Sequence, residues 1–146
     1  MCLKKGILFF SIWHLPVLYD GALQNSTLHH SEHLLFLMVS VLLWWPLLSP
    51  LEELPRPGYL VQLVYLFTLP IAQLPVFGAI TFADQPLYAT YAAAPRTFGL
   101  TVLADQALGG VFMKVFGLFV FGIPFALIFF RWYRREVGVR GRPQRA

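Results

Sequence analysis

The chain has 146 residues, 58% of them hydrophobic and only 12% charged, with a net charge of +4 and a mean hydropathy of +0.64. Soluble domains run near half apolar and a quarter charged, so this composition cannot assemble a water-facing surface for a globule of this size. It points to a membrane protein, and the length allows one compact bundle but not two domains.

The charge is unevenly placed. Six of the eleven basic residues (Arg131, Arg134, Arg135, Arg140, Arg142 and Arg145) fall in RWYRREVGVRGRPQRA, directly after a long apolar stretch. That is the mark of a cytoplasmic flank rather than of a nucleic-acid arm. The single cysteine, Cys2, excludes an intramolecular disulfide and any CxxC motif.

The first apolar segment runs from about Gly6 to Tyr19. At about 1.5 Å per residue it covers roughly 21 Å, short of the ~30 Å hydrocarbon core. The start has the basic and apolar regions of a signal peptide, but His14 and Pro16 interrupt it and no small-x-small cleavage site follows. It reads as a retained membrane segment.

A second segment spans about Thr27 to Leu48, with Asn25, Ser26 and Thr27 as N-cap candidates and Pro46 and Pro50 at its end. Trp44 and Trp45 suit a membrane interface. The third, about Tyr59 to Ala83, contains Pro70 and Pro75 and is expected to kink. The fourth runs from about Gln106 to Tyr133, and its glycines, Gly109, Gly110, Gly117 and Gly122, permit close helix contact. The expected fold is therefore all-α: a single polytopic membrane domain over 1–146, with helices at about 6–19, 27–48, 59–83 and 106–133 and a basic tail at 134–146.

Orientation follows from charge. With both termini cytoplasmic, Lys4, Lys5, Arg56 and the six tail arginines all fall inside; Arg96 alone falls outside, and Lys114 lies within a helix. On this topology His14, His29, His30, Glu32, His33, Asp84, Asp105 and Gln106 collect at the outer ends of different helices. Lys114 is placed to snorkel outward or to neutralise Asp105 or Asp84.

His29 and His33 are four apart and share a helical face, with Glu32 three residues from His29 on a neighbouring line. Two imidazoles at that spacing can share one ion, whereas His30 points about 100° away. A second element must complete the site, with His14 the first candidate and Asp105 or Met113 the others. The bland alternative has these histidines bonded to headgroups or loop carbonyls and the methionine filling a core gap. Ionisable groups at membrane depth are nevertheless costly and functional by default. Imidazole suits zinc, copper, iron and nickel, and the Met113 thioether tips the choice towards copper. No nucleophile–base pair, phosphate-cradling glycine loop or paired general acid and base can be drawn, so holding a ligand is expected rather than catalysis.

WHLPVLYDGALQNSTLHHSEHLLFL (13–37), then LLWWPLLSP, PLYATYA and LADQALGGVFM, together resemble the CtaG-type cytochrome c oxidase assembly factors. The family pattern is W-H-x-P-x-x-Y, then H-x-x-E/Q-H before a helix ending W-W-P, then D-Q-x-x-G-G-x-x-M. His14, His29, His33, Asp105, Gln106 and Met113 fall on those positions, while Lys114 stands where an aromatic residue is usual. The resemblance implies a multi-pass protein of the bacterial cytoplasmic membrane that helps to place copper in a haem-copper oxidase from the outer side. Its partners would be oxidase subunits and the bilayer. Family members carry further helices ahead of the W-H-x-P segment, so a truncated start is expected, and a homo-oligomer is one way to supply them.

The combined expectation is a non-enzymatic oxidase assembly factor. His14, His29, His33, Asp105 and Met113 are its metal ligands, and Glu32 and Gln106 orient them. One rival is a haem-binding electron carrier using histidines from two helices, although little protein would cover a macrocycle at the end of a bundle. Another is a metal-free scaffold for oxidase subunits.

Overall fold

The computed structural model describes residues 2–96 and 99–140; Arg142 and Arg145 of the basic tail lie outside the described residues. The described chain is helical throughout its regular structure: α1 (Cys2–Trp13), α2 (Pro16–Gln24), α3 (Ser26–Leu48), α4 (Tyr59–Ala72), α5 (Leu74–Thr81), α6 (Ala89–Ala93) and α7 (Val102–Arg140). Three spans are long and apolar enough to cross a membrane: α3, α4 with α5, and α7. There are four if α1 and α2 count as one broken span.

The first expected helix is two. The axes of α1 and α2 meet at 70° across a break at His14 and Leu15. Pro16 is the cause: its ring disfavours helical backbone at the residue before it, and Leu15 is extended at φ −67°, ψ 133°. Proline then opens α2, where its missing N–H costs nothing.

α3 starts where Asn25 accepts a hydrogen bond from the Leu28 amide (3.1 Å). It ends at Leu48, after passing through Pro46. The third expected helix is interrupted at Gln73, between Pro70 and Pro75. α7 exceeds its expected span at both ends. Thr101 caps it, its Oγ1 accepting from Ala104 N–H (3.2 Å) and its carbonyl from Asp105 N–H (3.0 Å). At its other end the arginines are good helix formers and continue the helix into the flank.

α4 and α5 lie along α7, while α1 and α2 lie along α3. The two halves are joined by Tyr65 on α4, whose hydroxyl donates to the Leu43 carbonyl of α3 (2.9 Å), and by Trp44 stacked on Phe121 of α7 at 6.0 Å. The buried core among the described residues is small; α4 gives it Leu63, Leu66 and Leu69, and single residues such as Trp13, Ala22, Leu47 and Ile80 come from other helices. Elsewhere large apolar side chains face outward, as lipid-facing positions do.

Candidate functional site

At one end of the bundle the break after α1, the short α6 and the start of α7 are tied together by polar contacts. Asp20 on α2 caps α6, its two carboxylate oxygens accepting from Ala89 N–H (2.9 Å) and Thr90 N–H (3.0 Å). The Tyr88 hydroxyl donates to the His14 carbonyl (3.0 Å), and the Tyr19 and Tyr91 hydroxyls are 3.3 Å apart. From α7, Gln106 accepts from Leu87 N–H through Oε1 (2.7 Å) and donates to the Ile80 carbonyl through Nε2 (3.1 Å). Burial removes Tyr88 from water and pushes its phenol above the ordinary range, so the hydroxyl stays a donor.

These ties frame a cavity of about 300 Å³ lined by His14, Tyr19, Tyr88, Tyr91, Asp105 and Met113 among others. Its wall is part aromatic and part polar, as ligand pockets commonly are. Within it the His14 Nδ1–H donates to the Phe10 carbonyl (2.7 Å), and the ring lies 4.3 Å from that of Phe10. That bond fixes the neutral tautomer and leaves Nε2 as an acceptor. Asp105 is half exposed and has Arg96 at 3.7 Å.

The other expected ligands form a separate group on the first turns of α3. His29 and His33 bring their Nε2 atoms to 3.1 Å, and the Glu32 carboxylate lies 3.7 Å from His29 Nδ1. Glu32 is one of three buried polar or charged residues among the described ones. His30 turns aside, its Nδ1–H donating to the Ser26 carbonyl (2.6 Å).

The expected ligand set is thus divided. His14, Asp105 and Met113 share the cavity; His29 and His33 share a helix face, with Glu32, expected to orient them, beside His29. Among the described residues no three His, Cys, Asp or Glu side chains come together to hold a metal ion. The physical reason lies in the break: Phe10 holds the His14 ring, and Pro16 turns the following chain away. Gln106, expected to orient a ligand imidazole, has both ends of its amide committed to backbone, at Leu87 in a loop and at Ile80 near the end of α5.

The pair on α3 brings two imidazole nitrogens close together. Two nitrogens 3.1 Å apart are spaced about as two corners of a tetrahedral site with bonds of ~2.0 Å. A carboxylate behind the far nitrogen of a ligating histidine is the usual orienting partner.

Sequence reasoning missed Asp20, Tyr19, Tyr88 and Tyr91. The tyrosines are separated by up to about seventy positions and share no periodicity. Asp20 left a usable signal, a lone carboxylate before Gly21 directly after the first apolar segment. Lys114 reaches neither acid. Its Nζ donates to the Pro70 carbonyl (2.6 Å), because the interruption at Gln73 exposes the last carbonyls of α4 to it.

Comparison with curated proteins and with solved structures gives no match. Residues 6–135 match the family described as cytochrome c oxidase caa3 assembly factor, a stretch holding every side chain of both groups. The chain belongs to that Caa3_CtaG family of cytochrome c oxidase assembly factors.

Proposed function

We propose that the chain assists copper insertion into a haem-copper oxidase at the outer face of the cytoplasmic membrane, with copper as its cargo. One observation carries the reading: the 3.1 Å approach of His29 Nε2 and His33 Nε2, with Glu32 behind His29. Neutral imidazoles suit copper, and both lone pairs must face the ion, so the His33 or His29 proton now shared between the rings moves to Nδ1. The Glu32 carboxylate favours that tautomer at His29.

Two ligands are an incomplete set, which suits delivery. An oxidase subunit can add its own donors to the open positions and take the ion without first displacing a closed shell. The cavity holding His14 Nε2 and the Met113 thioether adds a second, softer pair of donors at the same end of the bundle. Charge bias supports the outer location, since Arg56, Arg131 and Arg135 gather at the opposite end.

The test is copper content of the purified full chain after loading with Cu(I), with a competing chelator present. Wild type is expected to retain copper and His29→Ala/His33→Ala to lose it. Undiminished stoichiometric copper in the double variant removes the reading. Oxidase activity in a deletion strain complemented by each form checks the same point in the cell.

A further inference from the structure

The other end of the bundle has a cavity of its own, of about 530 Å³, where α3 finishes, α4 begins and the last third of α7 passes. One wall is apolar, built from Trp44, Leu47, Leu127 and Ile128. Three guanidinium groups line the remainder: Arg56, Arg131 and Arg135. No acidic side chain among the described residues lines it.

The arginines are held but not consumed. Arg56 donates from Nε to the Ser49 carbonyl (3.0 Å) and from Nη2 to the Leu48 carbonyl (3.3 Å), which leaves three of its five N–H groups. Arg135 lies over the Tyr59 ring at 5.2 Å, a contact that fixes the plane and leaves its donor edges open. Arg131 has no hydrogen bond or ion pair among the described residues.

Depth decides what such a cavity can take. It lies where α3 ends and α4 begins, so a bilayer crossed by these two spans has its headgroups at this level and the apolar wall along α7 on its hydrocarbon side. A soluble anion would satisfy the arginines and leave that wall idle. An apolar molecule would do the reverse. An anionic amphiphile uses both.

We propose that this cavity binds an anionic phospholipid, its phosphodiester on Arg56, Arg131 and Arg135 and an acyl chain along Trp44, Leu127 and Ile128. Guanidinium groups pair with phosphate oxygens through parallel N–H bonds, and basic pockets between membrane helices favour anionic headgroups. Filling the site ties the α3–α4 loop to α7 at the end where the two halves of the bundle otherwise meet mainly through Trp44 and Phe121.

The experiment uses the full chain, stripped of lipid in neutral detergent and mixed with equimolar phosphatidylglycerol and phosphatidylcholine of matched chains. Retained lipid is counted by native mass spectrometry. Wild type is expected to keep about fivefold or more phosphatidylglycerol over phosphatidylcholine. Arg131→Gln/Arg135→Gln is expected to fall to parity, Arg131→Lys/Arg135→Lys to keep a preference, and Arg134→Gln, in the same basic flank but not lining the cavity, to leave it unchanged. Ile128→Trp keeps every charge but fills the apolar wall, and it is expected to lower retention of both lipids. Equal retention by wild type overturns the proposal. So does loss of the preference in Arg134→Gln, full retention in Ile128→Trp, or displacement of the lipid by millimolar inorganic phosphate. If the glutamine pair does not fold, the lysine pair and Ile128→Trp still decide.

Discussion

His29 and His33 face each other across one turn of α3 with their Nε2 atoms 3.1 Å apart, and Glu32 reaches towards His29 from the buried side of the same turn. An i, i+4 pair places two imidazoles on one face, but it does not aim their nitrogens. On the proposed copper reading, Glu32 supplies that aim from 3.7 Å. Glu32→Gln keeps size and removes the charge, so it is expected to weaken copper binding about 10- to 100-fold while leaving helix content unchanged. Chelator competition on purified protein reads the affinity and circular dichroism the fold; wild-type affinity in Glu32→Gln would separate Glu32 from the site.

Asp20 holds the cavity from its far side. α6 has only five residues and cannot stand alone, and its first amides are satisfied by the two oxygens of Asp20. Asp20→Ala is expected to cost about 1 kcal/mol, the usual loss for a capping side chain. Asp20→Asn, which keeps one acceptor, should cost less. Hydrogen exchange over residues 86–94 should rise in Asp20→Ala before the melting midpoint falls far. Unchanged exchange there would show that α6 is held by Tyr88 and Gln106 instead.

Segments with local signals were legible from the residues alone. α3 begins within a residue of its expected start because Asn25 caps it, and it ends at Leu48 as expected, between Pro46 and Pro50. The proline interruption of the third span was legible for the same reason. The break at His14 was only half legible: Pro16 stood in plain view, yet a continuous apolar run masked a 70° turn. That turn decides the site, since it sends His14 to the tyrosine-lined cavity rather than to the α3 histidines. The cavity itself depends on residues 19, 91 and 105 of three helices meeting Tyr88 in the loop before α6, and such meetings leave no periodic trace in a single sequence.

Two adjacent glycines of α7 make opposite predictions. A Cβ on Gly110 would collide with the Thr81 Oγ1 atom and lie 3.3 Å from Ile80 Cγ2, whereas one on Gly109 meets nothing within 4 Å. α5 can approach α7 so closely only because residue 110 lacks a side chain. Gly110→Ala is therefore expected to destabilise by about 1–3 kcal/mol through overpacking. Gly109→Ala should gain about 0.5–1 kcal/mol by lowering the backbone entropy lost in a helix. Melting midpoints in detergent compare the two directly; a Gly110→Ala midpoint at or above wild type would mean that α5 moves aside freely.

Lys114 makes the last prediction. It sits within the longest apolar helix, and a bare ammonium there would be costly. Its Nζ instead donates to the Pro70 carbonyl at 2.6 Å, at the last turn of α4, where helix carbonyls lack intrahelical partners and carry partial negative charge. The lysine thus clasps α7 to the interruption between α4 and α5. Lys114→Met removes the donor, leaves the carbonyl unsatisfied and is expected to cost about 1–3 kcal/mol. Lys114→Gln keeps an N–H at shorter reach and should recover part of that. The loss should appear as faster hydrogen exchange in residues 71–77 with little change near His29 and His33. A Lys114→Met protein as stable as wild type, with unaltered exchange at the interruption, would show that the proline-broken span holds its shape without the lysine.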